Sequence, residues 1–159
     1  MRLVFWVGFW TFLIDQASKY LVVHWMNLRQ IGAIDVLPPF LNLRMAWNHG
    51  INFGLMAHDS PLTRWILIAV ALLISGAVLW WIRKEPGGAL QNIAAGLLVG
   101  GALGNVIDRL IYGAVADFLN MSCCGINNPY AFNVADIAVF AGAIGLVFFT
   151  PNSPPKNAS

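Results

Sequence analysis

The chain has 159 residues, 58% of them hydrophobic and only 10% charged, with a formal net charge of +2 and a mean hydropathy of +0.69. Soluble domains carry roughly a quarter charged residues, so an ordinary soluble domain is excluded. So small a charge does not argue for nucleic acid, and 13% aromatics suit membrane-interface belts better than base stacking.

Residues 3–14 are almost wholly apolar after Met1 and Arg2, which raises the possibility of a secretory signal peptide. No small-residue cleavage site follows; the chain runs on through Asp15, Gln16, Ala17, Ser18 and Lys19 and turns apolar again to Trp25. About 20 residues cross a bilayer core, so residues 3–24 are expected to form a first transmembrane helix. Asp15 and Lys19, four apart with the acid first, share a face and can pair. That pair either fixes helix packing or serves a site directly, and both readings stand.

Residues 27–63 are too polar and broken to span. After Pro38 and Pro39, apolar Leu41, Leu43, Met45 and Trp47 alternate with Asn42, Arg44, Ala46 and Asn48, the period of a strand with one apolar face. Residues 31–37 are its weaker partner, and a small sheet lying apolar side down on the membrane is expected. The glycines of the 48–54 stretch indicate a turn or a close backbone approach, and a closing movement of that loop is a hypothesis they raise. Residues 65–82 form a second span with Trp80 and Trp81 as interfacial anchors, and residues 83–88 a tight turn. Residues 89–107 form a third span, where Gly96, Gly100 and Gly104 allow close helix approach. At its far end Gly101, Gly104, Asn105, Asp108 and Tyr112 fall on one side, with Arg109 adjoining. A second non-spanning loop covers residues 112–133. Residues 134–150 form a short fourth span with Gly142 and Gly145 for packing. The tail 151–159 is expected to be disordered and cytoplasmic.

The expected architecture is therefore an all-α polytopic membrane protein, one domain over residues 1–150, with four transmembrane helices and a small extracytoplasmic β-sheet. Four spans place both termini on one side, with Arg2, Arg83, Lys84 and Lys156; the first loop carries Arg29, Arg44 and Arg64. That bias, four against three, favours cytoplasmic termini weakly and puts both polar loops outside. Cys123 and Cys124 are adjacent, and a disulfide between sequence neighbours is strained, so they are read as small loop residues.

The chemistry is narrowed by what is missing. There is no His-Glu-x-x-His, His24, His49 and His58 have no metal-ligand spacing, and no Walker-type phosphate loop occurs. Ser18 and Ser75 lack an obvious base. No metal or cofactor is expected. Carboxylates remain, and charged groups at membrane depth point to function by default. Asp117 lies just beyond the third span and Asp136 is the third residue of the fourth, so antiparallel neighbours would bring both to one depth. Two such carboxylates share a proton and can work as acid and base. On spacing alone, the other reading is a solvated loop acid and a residue near the positive end of a helix.

Five blocks stand in order along the chain: Asp15-Gln16-x-x-Lys19, Asn48-x-Gly50, Gly100-Gly101-x-x-Gly104-Asn105-x-x-Asp108-Arg109, Val115-x-Asp117-Phe118 and Phe132-Asn133-x-Ala135-Asp136. Together they resemble the bacterial lipoprotein signal peptidase (type II signal peptidase) family over nearly the whole chain. The resemblance implies an inner-membrane aspartyl endopeptidase that cuts prolipoproteins just before the lipid-modified cysteine and is the target of globomycin-type peptides; a monomer is expected. It implies that Asp117 and Asp136 are the catalytic dyad, that Asn48, Gly50, Asn105, Asp108, Arg109 and Asn133 line or support the site, and that Asp15 and Lys19 lie close to it. Asn52 departs from the family's usual small residue and puts the first-loop pocket in question. The alternatives are a small proton- or ion-coupled transporter, whose acids would sit near mid-membrane and whose halves would show symmetry, and a non-enzymatic assembly factor. The Gly-x-Gly-Asp of presenilin-type proteases is absent.

Overall fold

A computed structural model describes residues 1–50, 61–123, 125 and 128–150. The expectations for Asn52, His58, Cys124, the closing loop beyond Gly50 and the tail 151–159 lie outside the described residues; Cys123 is exposed in a loop.

Helix α1 (Arg2–Lys19) runs on into a π-helical segment (Tyr20–Trp25) and a single turn, α2 (Leu28–Ile31). Strands β1 (Ala33–Leu37) and β2 (Leu41–Asn48) form a hairpin. Helices α3 (Pro61–Lys84) and α4 (Ala89–Tyr112) follow, then β3 (Val115–Asn120) and α5 (Val134–Phe149). The first helical stretch and α5 fall where the sequence places them. Helices α3 and α4 extend beyond the expected spans, by four residues before Trp65 and by five after Ile107. Leu62–Lys84 and Ala89–Tyr112 are each long and apolar enough to cross a membrane. Helix α5 is apolar but has 16 residues, and α1 carries Arg2, Asp15 and Lys19.

Helix α4 is the centre of the bundle, packed against α1, α3 and α5. Its small residues permit this. A Cβ on Gly100 would overlap the Gly8 carbonyl and meet Thr11; one on Gly101 would meet the Ala135 carbonyl. Gly142 of α5 sits equally close to the backbone of Ala94 and Leu98. Such approach is how helices associate in lipid, where no hydrophobic gain drives them together. Phe5, Trp6, Phe9 and Trp10 of α1, Leu73 of α3, and Phe140, Val147 and Phe148 of α5 stay exposed, as suits surfaces that face lipid.

The sheet has the order β1-β2-β3, all antiparallel. Strand β3 falls within what the sequence reads as loop. Leu43 and Met45 of β2 turn to an apolar cluster with Val22, Leu28 and Phe118, while Asn42, Arg44, Ala46 and Asn48 take the opposite face. In β3 the N–H groups of Phe118 and Leu119 both donate to the Phe132 carbonyl, at 3.1 and 2.8 Å, and the register with β2 shifts nearby. This bulge lets Phe118 and Leu119 both join the apolar side, with Asp117 opposite Ala46 on the polar one.

Overpacking the α1–α4 contact should be costly. Gly100→Leu is expected to destabilise by about 1–3 kcal/mol or more, read as a lowered Tm in detergent. Gly76→Ala, where a Cβ meets nothing within 4 Å, should be neutral or slightly stabilising. Equal Tm values for the two variants would refute the close approach.

Candidate active site

The described ends of α1, α4, β3 and α5 deliver four carboxylates and two cations to one layer. Its buried half is an ion cluster. Lys19 Nζ lies 2.8 Å from Asp15 Oδ2 and 2.8 Å from Asp108 Oδ2. All three residues are at most 4% exposed. Gln16 Nε2 donates to Asp15 Oδ2 at 3.1 Å, Asp108 Oδ1 at 3.1 Å and the Gly104 carbonyl at 3.2 Å. The remaining carboxylate contacts reach out to the neighbouring elements. Ala135 N–H of α5 donates to Asp15 Oδ1 at 2.9 Å, and Ala116 N–H of β3 to Asp108 Oδ2 at 3.1 Å. Breaking a buried charge pair leaves an uncompensated charge, so these bonds lock α1, α4, α5 and β3 together.

The outer half holds Asp117 and Asp136. Asn133 is the N-cap of α5: its Oδ1 accepts from Asp136 N–H at 2.9 Å, and Asp136 Oδ2 accepts from Asn133 N–H at 3.1 Å. This reciprocal capping box satisfies first-turn donors that would otherwise be left over. Asn133 Nδ2 also donates to Asp117 Oδ1 at 2.6 Å, so one cap residue touches both aspartates. Asn48 Nδ2 donates to Asp117 Oδ2 at 3.1 Å, and Asn105 Nδ2 to Asp136 Oδ1 at 2.9 Å. Asn105 Oδ1 accepts in turn from Lys19 Nζ at 3.2 Å, which joins the two halves. Arg109 donates through Nη1 to the Asn105 carbonyl at 3.3 Å, and its buried Nε has no partner among the described residues.

Asp117 is 3% exposed, whereas Asp136 is half-buried. Burial and then the neighbouring Asp136 charge push the Asp117 carboxyl up to about 6, against the opposing pull of Asn48, Asn133 and Lys19. Because its folded value lies above the ordinary one, the folded state holds an extra proton between about 4 and 6. Stability therefore rises as pH falls through that window and is lost above it.

Asp15, Lys19, Asn48, Asn105, Asp108, Arg109, Asp117, Asn133 and Asp136 all lie in or beside this layer, and Gly50 stands just past β2. There it takes φ +125° and a Cβ would strike Leu67, while its N–H donates to Asn48 Oδ1 at 3.1 Å and so orients Asn48. Tyr112 points elsewhere, to His24 (2.9 Å) and the Trp47 ring. Gln16 stands in the first of the five blocks without a role of its own; a polar residue flanking Asp15 in an apolar helix is the signal that marks it.

Asp117 and Asp136 are thus brought to one cap residue, Asn133, on a helical scaffold. A family model described as signal peptidase (SPase) II matches residues 7–150. A lipoprotein signal peptidase of Alteromonas mediterranea is 39% identical over 143 residues, covering 89% of this chain and 76% of that protein. One from Methylorubrum extorquens is 40% identical over 149 residues, covering 94% and 85%. A bacterial membrane enzyme solved by the in meso method at 1.9 Å resolution superposes with a TM-score of 0.79 at 27% identity, over 93% of this chain and 92% of that one. The chain belongs to the signal peptidase II family. It is a protease, a bacterial inner-membrane enzyme of lipoprotein processing.

Lys19→Met strands two buried carboxylates and should destabilise by about 3–5 kcal/mol. Asp108→Asn leaves a neutral Asp15–Lys19 pair and should cost clearly less. Denaturation of both variants in the same detergent checks the order; equal losses would contradict the ion-cluster account.

Proposed function

We propose that this protein removes the signal peptide from diacylglyceryl-modified prolipoproteins, cutting before the lipidated cysteine with Asp117 and Asp136 as the catalytic dyad. The observation that carries the reading is Asn133, which bonds both aspartates from the cap of α5 and so makes one unit of them. Family membership supports the substrate class.

The environments of the two acids suggest separate roles. Asp117 is the buried member pushed toward neutrality and holds the proton. Asp136 is reached by solvent, sits at the positive end of α5 and accepts from a backbone N–H and from Asn105, and it is assigned the role of base. Asp136 takes a proton from water as the water oxygen attacks the scissile carbonyl, and Asp117 passes its proton to the carbonyl oxygen. As the C–N bond breaks, Asp136 returns its proton to the leaving nitrogen and Asp117 regains one from the diol hydroxyl. The pair titrates as a unit. Asn48, Asn105 and Asn133 hold the carboxylates in place, with Gly50 steadying Asn48; Arg109 offers positive charge and a spare donor beside them, and the Asp15–Lys19–Asp108 cluster underlies the whole.

The same reading includes four spans, near residues 3–24, 65–82, 89–107 and 134–150, in one domain over residues 1–150. Termini are cytoplasmic, the dyad lies near the outer face, and the protein works as a monomer without a cofactor. The apolar collars exposed on α1 and α5 support spans one and four. Lipid chains of the substrate stay in the bilayer while the peptide bond reaches the boundary, and a globomycin-type peptide competes there. A transporter reading finds no support in the placement of the acids, which gather at the ends of α4 and α5 and not at their middles.

Purified protein should cleave a diacylglyceryl-modified prolipoprotein in detergent. Asp117→Asn and Asp136→Asn should each lower kcat by about 10²–10⁴-fold or more, the usual worth of a general acid or base, with Tm held within a few degrees. Wild-type rates from either variant would overturn the dyad.

A further inference from the structure

Beyond the dyad, the polar face of the sheet leads somewhere. Asn42, Arg44, Ala46 and Asn48 alternate away from the apolar cluster, and the register puts Asp117 across from Ala46, Asn120 across from Asn42 and Asp35 across from Asn42 on the other side. Three polar side chains thus stand in one row across all three strands at the hairpin end. There the sheet and the segment after β3 enclose a cavity of about 350 Å³, lined by Asp35, Asn42, Arg44, Ser122 and Asn128 with the turn prolines. Its size lies within the range of ligand-binding sites.

Two observations make it more than a surface dent. Asn42 is 5% exposed and Asn120 1% exposed, yet the Oδ1 atoms of both lack a hydrogen-bond partner among the described residues. A buried acceptor left unsatisfied is costly and rare, so a donor supplied from outside would be gained at little expense. Asn120 is otherwise fully employed: its Nδ2 donates to the carbonyls of Asn128 and Tyr130 at 2.8 and 2.9 Å, which holds the cavity's far wall against the sheet. At the rim, exposed Asp35 and Arg44 offer opposite charges.

The distance fits one kind of occupant. Asp117 lies level with Ala46, four residues along β2 from Asn42, which is roughly 14 Å at about 3.4 Å per residue. An extended peptide of about four residues would cover it. A signal sequence is apolar and stays with the bilayer; the chain beyond the cut is polar and leaves it.

We propose that this cavity is a subsite for the extended polar segment that follows the scissile bond, with a backbone N–H group directed at Asn42 and its side chains at Asp35 and Arg44. The proposal rests on the peptidase reading above. It makes Asp35, Asn42 and Arg44 specificity-determining residues some distance from the reacting atoms.

The test uses full-length enzyme and synthetic diacylglyceryl substrates with either two or six residues after the modified cysteine. For wild type, kcat/KM should be about tenfold higher on the longer substrate, worth about 1.4 kcal/mol. In Asp35→Ala/Arg44→Ala, which alters only exposed side chains, and in Asn42→Ala, the ratio of long to short should fall toward one. A wild-type ratio of one, or a ratio undiminished in both variants, overturns the subsite and leaves the peptidase intact. Failure of wild type to cut either substrate overturns the peptidase reading itself, and the subsite with it.

Discussion

One buried lysine holds this molecule together at the level where it works. Lys19 Nζ sits 2.8 Å from two carboxylates in a layer nearly closed to solvent, with apolar clusters on either side. An ammonium or carboxylate alone in such a place would be prohibitive, and each is tolerated because the others are there. The geometric consequence is larger than the electrostatic one. Asp15 reaches the first turn of α5 through Ala135, and Asp108 reaches β3 through Ala116. The two elements that carry Asp136 and Asp117 are therefore pinned to the same cluster.

The proposed dyad takes its asymmetry from this support. Asp136 begins a helix and gains from its dipole and cap, whereas Asp117 sits in a bulged strand with burial against it and a second carboxylate nearby. Two chemically identical groups thus stand in different environments, the asymmetry that the proposed acid-base roles call for. The asparagines around them carry no charge of their own, and by donating to the carboxylates they oppose the burial that raises Asp117. Helix packing contributes from below: the glycines of α4 let α1 and α5 approach closely enough for short bonds to form between them.

Much of this was legible in the residues because membranes make polar groups conspicuous. Long apolar runs marked the helices, the alternation over residues 41–48 marked β2, and acids in an apolar chain marked the candidate site. The pairing of Asp15 with Lys19 followed from spacing, and Lys19 also reaches Asn105, which bonds Asp136. That Asp108 completes a cluster of three was not legible, since it depends on how α1 lies on α4. Strand β3 was hidden because its bulge breaks the alternation: Phe118 and Leu119 are both apolar and both face inward. Helices α3 and α4 run past the expected apolar spans through Arg64 at one end and Asp108 and Arg109 at the other, polar residues that add nothing to an apolar run. In place, Arg64 Nη2 donates to the Leu110 carbonyl at 3.1 Å and helps close the last turn of α4.

The central claim is that Asp117 and Asp136 are electrostatically one unit. Its most direct test is the titration of the Asp117 carboxyl, followed by site-resolved carbon NMR or by its infrared carbonyl band, in wild type and in Asp136→Asn. Removing the Asp136 charge should lower the Asp117 midpoint from about 6 while burial keeps it above the ordinary carboxylate value. A midpoint that does not move would mean the two acids do not sense each other, and the dyad would be wrong.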